Sequence, residues 1–405
     1  MIEIKIQKNA LSSALAVVTK ASRSNGLIPV YELIRLEVSA GRLTFSCFNG
    51  EFAACGRIPV IGMEAGYACV NAATLREVVQ TMNGEITLRI LPDQVHLECG
   101  ASKTTLHTQE GELPVVGMED GLESLMLSGA DLKKLGSVAV FASTDSARSA
   151  LQTVHLSIFQ DEHSFTLLRA QSADGFTLGR LSVIAESSPE LDSRLETNRA
   201  KNERMSILMP AVFMRTLASV VAAEDQVQLN LNKDTRASFH ITGEGRDFCL
   251  DTALMDDSFP ESSIEDILTK AMKSNGGELV IACSELDKAM KQVAAMGTRS
   301  MFFKTFAGVI RTASHESEYG QAKNVLQGTA TGSDVAIWLN VDFLARVTKI
   351  SSGTLEIKVS GSINPALVRV EDLTVLIMPI HVEGDPFEKD QAIPVSFDLP
   401  AEVAA

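Results

Sequence analysis

The stretch NAATLREVVQTMNGEITLRILPDQVHLECG, residues 71–100, is the part of the chain whose reading decides the fold. Its first twelve residues place Leu75, Val78, Val79 and Met82 on one helical face. After two residues, Asn83 and Gly84, two runs alternate apolar and polar side chains around the polar turn LPDQ, which reads as a β-hairpin. The same unit returns twice. PAVFMRTLASVV (210–221) precedes EDQVQLNLNKDTRASFHITGE (224–244), and NVDFLARVTKI (340–350) precedes GTLEIKVSGSINPALVRVED (353–372). The expected helix stripes are Phe213, Leu217, Val220 and Val221 in the second copy, and Phe343, Val347 and Ile350 in the third. A helix–hairpin unit recurring about every 130 residues implies three similar domains.

Each domain also reads as opening with a longer helix, over 8–24, 128–149 and 282–300. β-rich stretches such as 33–60 and 154–183 lie between the two helices, giving each domain an internal two-fold look. The fold class is therefore α+β, with domains over 1–120, 126–260 and 278–382 and a tail over 383–405 that reads as unstructured. Turn formers and acids place the joints near 115–124 and 259–278. The charge-rich stretch 186–206 shows no periodicity and reads as a mobile insertion in the second domain.

At 405 residues the chain can bury several cores, and 45% of it is apolar without a run long enough to span a bilayer. The N-terminus lacks the charged-then-apolar pattern of a signal peptide, so a cytoplasmic location is expected. The six cysteines form no CxxC pair and read as buried core thiols. No phosphate-binding loop, nucleophile elbow or clustered metal-ligand pattern occurs, and the seven histidines are scattered singly. Asp174 and the pair Asp256-Asp257 are explained by turn chemistry. Neither a catalytic residue nor a cofactor or metal is expected.

The formal charge of −15 is unevenly spread. The six helix-like stretches sum to +7, leaving −22 on the remainder. Helices sharing one surface would present a positive lining that attracts a polyanion without reading its sequence. The same numbers also fit ordinary solvated helix faces.

Four segments, in order along the chain, resemble the bacterial sliding clamp family, the beta subunit of DNA polymerase III. SADGFTLGRL (172–181) is similar to the family's T-D-G-x-R-L stretch, and VLIMPIHV (375–382) to its closing V-M-P-M-R-L. DDSFPE (256–261) resembles F-P-D-Y, and ARSALQTVHL (147–156) the stretch that carries a pocket leucine. The resemblance covers residues 1 to about 382. It implies a head-to-tail homodimeric ring, helices lining its hole, that encircles duplex DNA as a processivity factor and recruits the replicative polymerase, a clamp loader and other clients, with no membrane partner. DNA would meet Lys20, Arg23, Lys133, Lys134, Arg148, Arg215, Lys288, Lys291, Arg346 and Lys349. Client peptides would enter a groove formed by Leu151, Ala173, Gly175, Phe176, Thr177, Leu178, Pro260, Leu376, Ile377, Met378, Pro379 and Ile380. Read without the resemblance, Leu178, Leu376 and Met378 would simply close a core at a domain edge.

Several positions depart from the family pattern. Thr177 stands where the family has Arg after D-G-x, and His381 where it has its penultimate Arg. The expected ring interface involves Thr104 and Leu106 on one side and Met296 and Gly297 on the other, lacking the family's bulky apolar pair at 296–297. Met301, Phe302 and Phe303 are candidates for rebuilding it, and QAIPVSF (391–397) loosely resembles a glutamine-led client motif that could compete for the groove. The rival reading is a monomeric clamp-like adaptor that binds peptides and does not encircle DNA. A remoter one is an enzyme using the groove as its active site.

Overall fold

The computed structural model describes residues 2–23, 28–61, 64–113, 123–201, 203–232 and 235–388. The joint expected at 115–124, apart from its last two residues, and the segment 391–397 lie outside the described residues. Contacts divide the chain into two units, 1–174 with 180–259, and 175–179 with 260–405.

The first unit contains two copies of the predicted unit. In the first, strand Ile2–Gln7 leads into α1 (Lys8–Val18), and three further strands, Leu33–Ser39, Arg42–Phe48 and Phe52–Pro59, follow. The second half of this copy repeats the series, with strand Gly66–Asn71, α2 (Ala72–Thr81), and strands Glu85–Ile90, Gln94–Cys99 and Ser102–His107. The halves exchange their leading strands: Ile2–Gln7 pairs with Glu85–Ile90, and Gly66–Asn71 with Leu33–Ser39. These leading strands are not among the predicted elements, although Ile2, Ile4 and Ile6 alternate and are buried.

The second copy places α3 (Gly129–Ser137) after strand Ser124–Ser128. Ser128 caps α3 by accepting from the Asp131 backbone N–H at 3.0 Å. The segment read as a mobile insertion contains α4 (Pro189–Ala200). Ser188 accepts from the N–H of Leu191, Pro189 starts the helix, and Glu190 and Asp192 favour its N-terminal dipole. Only Leu191 and Leu195 are buried on this helix, so its periodic signal was too thin to read.

α5 (Ala211–Val220) lies against α3, and a Cβ on Gly136 would come 2.5 Å from the Cβ of Ala218, so glycine permits the close approach. Strands Phe52–Pro59 and Arg246–Ala253 pair antiparallel, joining the two copies into one sheet with Cys55 opposite Cys249. Both thiols are buried, and burial pushes Cys249 up to about 12.

The second unit holds α6 (Glu261–Lys273), α7 (Cys283–Ala295) and α8 (Val341–Ile350). The joint predicted over 259–278 is thus largely helical, with Ile264, Leu268 and Ala271 buried at helical spacing. Strand Gly277–Ala282 precedes α7 and pairs with Thr354–Val359, repeating the exchange seen in the first copy. α7 and α8 lie side by side, as α1 and α2 do. The buried face of α8 is Val341, Leu344 and Val347; Phe343, on the expected stripe, is only half-buried, one position off this face.

Met301, Phe302 and Phe303 all lie inside this unit, which corrects their proposed role in a ring interface. Met301 and Phe303 belong to the inner face of strand Ser300–Phe306, while Phe302 is covered from outside by Trp338 and Phe387. Residues 383–388, read as part of an unstructured tail, thus pack on this unit. Trp338 Nε1 donates to the Gly384 carbonyl at 3.4 Å, Lys304 pairs with Asp385 at 2.5 Å, and Phe387 is buried.

Candidate peptide and nucleic-acid interfaces

The residues expected to form a groove fall into two groups. Gly175, Phe176, Thr177, Leu178, Pro260 and residues 376–380 belong to the second unit, whereas Leu151 and Ala173 belong to the first. Leu151 is half-buried on a short 3₁₀ turn, Ser149–Gln152, and Ala173 is buried at the end of strand Thr166–Ala173. The turn before Leu151 is fixed by Asp257, whose carboxylate accepts from Ser149 Oγ and the Ser258 N–H, bonds that lower its pKa. That gives Asp257 a structural occupation.

In the second unit, strand Leu373–Ile377 buries Leu376 and Ile377 and then releases Met378 to the surface. The Met378 N–H donates to the Phe176 carbonyl at 2.8 Å, and the Ile380 N–H to the Trp338 carbonyl at 3.0 Å. Gly175 has φ +94°, a conformation that suits glycine and turns the chain so that Phe176 stands out, 58% exposed. Thr177 and Leu178 are buried. Two residues outside the expected set touch this segment. Phe343 stacks on Phe176 with ring centres 6.0 Å apart, and Arg346 Nη1 donates to Thr177 Oγ1 at 2.8 Å. Beside Met378 runs a mostly apolar cleft of about 360 Å³ lined by Ile267, Lys270, Ala271, Asn364 and Pro365, so α6 contributes as well.

The ten candidate DNA cations are differently placed. Lys20 lies on the 3₁₀ turn Thr19–Ala21 and Lys133 on the outward face of α3; both are exposed, as are Lys134 and Lys349. Four others face carboxylates: Arg23 pairs with Glu51, Arg148 with Asp145 at 3.7 Å, Lys288 with Glu285 at 2.7 Å and Lys291 with Asp287 at 2.6 Å. Arg215 donates to the Ala139 carbonyl at 3.0 Å. The exposed pairs are weak and exchangeable, so phosphate can compete for these cations.

Two sheet edges complete the picture. Strand Ser102–His107, carrying Thr104 and Leu106, is an outer strand of one four-stranded sheet, and Lys323–Leu326 of another. Such edges are templates for strand pairing. Gly297, at φ +71°, ends α7, and a Cβ there would come 3.2 Å from the Tyr319 ring. Among the described residues, no group of three or more His, Cys, Asp or Glu side chains is placed to hold a metal, and no helix is long and apolar enough to cross a membrane.

Comparison with known proteins gives a consistent answer. A family model described as DNA polymerase III beta subunit, N-terminal domain, matches residues 2–116. The beta sliding clamp of Lactococcus lactis is 24% identical over 371 residues, covering 86% of this chain and 90% of that protein. The Streptococcus pneumoniae beta sliding clamp is 22% identical, covering 94% and 100%. Among solved structures, a sliding clamp from Pseudomonas aeruginosa bound to griselimycin matches with a TM-score of 0.80 at 20% identity, covering 94% of this chain and all of that one. A DNA polymerase III beta subunit from Thermotoga maritima matches at 0.79 and 17% identity, covering 95% and 100%. Over residues 2–116 the chain thus matches the DNA polymerase III beta subunit N-terminal domain, its relatives over most of its length are beta sliding clamps, and its fold is that of the solved sliding clamps.

Proposed function

We propose that two copies of this chain close head to tail around duplex DNA and tether replication clients through the Phe176–Met378 surface. The three domains of this reading are 1–120, 126–260 and 278–382. The carrying observation is the build of the peptide surface: an exposed aromatic side chain and Met378 are locked together by a backbone hydrogen bond beside an apolar cleft. That suits an extended peptide presenting one apolar anchor. The open edges Ser102–His107 and Lys323–Leu326 support strand pairing between copies, with Thr104, Leu106, Met296 and Gly297 near the junction. Helix cations would meet phosphates, not bases, so the ring slides. Retention would then be topological, and the protein acts as a processivity factor without chemistry of its own, in the cytoplasm where replication takes place.

The adaptor reading draws on one observation, the ion pairing of Arg23, Arg148, Lys288 and Lys291. Retention on nicked circular DNA separates the two. A ring loaded by a clamp loader stays on a circle and slides off the same plasmid once it is linearised; an adaptor shows no such difference. Calorimetric titration with griselimycin tests the peptide surface, and a flat titration would remove it.

A further inference from the structure

We infer that Arg346 serves the peptide surface, as a positioning residue for the client's apolar anchor, and does not belong with the DNA-facing cations. The inference rests on the groove reading above. Arg346 and Phe343 are one turn apart on α8 and share a face. The guanidinium carbon lies 5.2 Å from the centre of the Phe343 ring, and Nη1 donates to Thr177 Oγ1 at 2.8 Å. Phe343 in turn stacks on Phe176 at an interplanar angle of 18°, and the Phe176 carbonyl accepts the Met378 N–H. One guanidinium therefore braces both ends of the segment 176–177, through a ring at one end and a hydroxyl at the other.

Thr177 is buried, so its bond to Arg346 is sheltered from water and stronger than a surface contact. The cation over Phe343 adds an attraction that grows as water is excluded. Turning Arg346 toward a phosphate would break both contacts and loosen the two-ring platform on which an apolar side chain would rest. Lys349, exposed near the end of the same helix, carries no such commitment and remains with the DNA set.

The test uses the full-length protein and a fluorescein-labelled hexapeptide that opens with glutamine and ends in Leu-Phe, read by fluorescence anisotropy. Arg346→Ala is expected to weaken binding about tenfold, while Arg346→Lys, which can still donate to Thr177 and sit over Phe343, stays within about threefold. Retention of Arg346→Ala on circular DNA, and its dependence on salt, should match the parent protein. A Thr177→Ala cycle with Arg346→Ala should give a combined loss smaller than the product of the single losses. Met378→Asp serves as the control for the groove itself. If Met378→Asp abolishes binding and Arg346→Ala leaves it unchanged, the inference is wrong and the groove stands. If neither changes binding, the groove reading fails and takes the inference with it. Lost DNA retention with intact peptide binding would return Arg346 to the DNA set. Should Arg346→Ala not fold, Arg346→Gln carries the same comparison.

Discussion

Residues 375–380 and the cations of α3, the two proposed contact surfaces, are built in different ways. The first is held from behind: Leu376 and Ile377 are buried, Met378 is tied to Phe176 and Ile380 to Trp338. Lys133 and Lys134 instead lie exposed on a face of α3. A preorganised apolar surface loses little freedom on binding and can discriminate between peptides. Solvated ammonium groups give weak attraction that salt screens and that no position along DNA can localise. Tethering needs the former and sliding the latter.

Perturbing each surface separately is the way to break this comparison. The largest effect is expected for Met378→Asp, which puts a charge on the apolar lip. Peptide affinity should fall about a hundredfold while DNA retention is unchanged; a fall in both would mean that the surfaces are coupled. Next comes Phe387→Ala, which removes the ring covering Phe302 and Trp338. A buried Phe→Ala change costs about 3 kcal/mol at the lower end of the usual range. Thermal unfolding followed by Trp338 fluorescence, the only tryptophan, should report it, with peptide affinity falling only a few-fold. An unaltered transition would show that the 384–388 strap adds nothing.

Charge reversal, Lys133→Glu with Lys134→Glu, should slow loading onto circular DNA about tenfold at moderate salt. It should also lower the log–log salt slope by about two, one per lost phosphate contact. Unchanged salt dependence would take both lysines off the DNA path.

The smallest effect concerns pH. Cys249 is raised from 9.0 to about 12 by burial, so its thiol stays protonated in the folded state after the unfolded chain has begun to ionise. The contribution of this group to stability is therefore constant below pH 9 and is lost progressively as pH rises above it. Cys249→Ala should flatten the decline of the unfolding midpoint between pH 9 and 10. A slope that persists undiminished would assign it to other groups.

Much of the fold was legible because it is local and repeated. The alternation in GEITLRI and QVHLEC, and the helical spacing of Leu75, Val79 and Met82, needed no tertiary knowledge. α4 was not legible, since a helix with two buried leucines is stabilised chiefly by its cap and by what it lies against. α6 carried a readable stripe at 264, 268 and 271, obscured by the acids and glycines around it. On α8 two stripes fitted the spacing equally, and only packing chose Leu344 over Phe343. Phe302 was misread for a related reason: what covers it is Phe387, which is 85 residues away in sequence. In the candidate site, residues 175–178 and 376–380 were proposed through resemblance, whereas Phe343 and Arg346 touch that segment through side-chain contacts that no pattern encodes.

The central claim is that this chain closes into a ring, and negative-stain electron microscopy of the purified protein at micromolar concentration tests it most directly. The account predicts closed rings with a central hole wide enough for duplex DNA. Single chains or open crescents, persisting after addition of a clamp loader and nicked circular DNA, would contradict it.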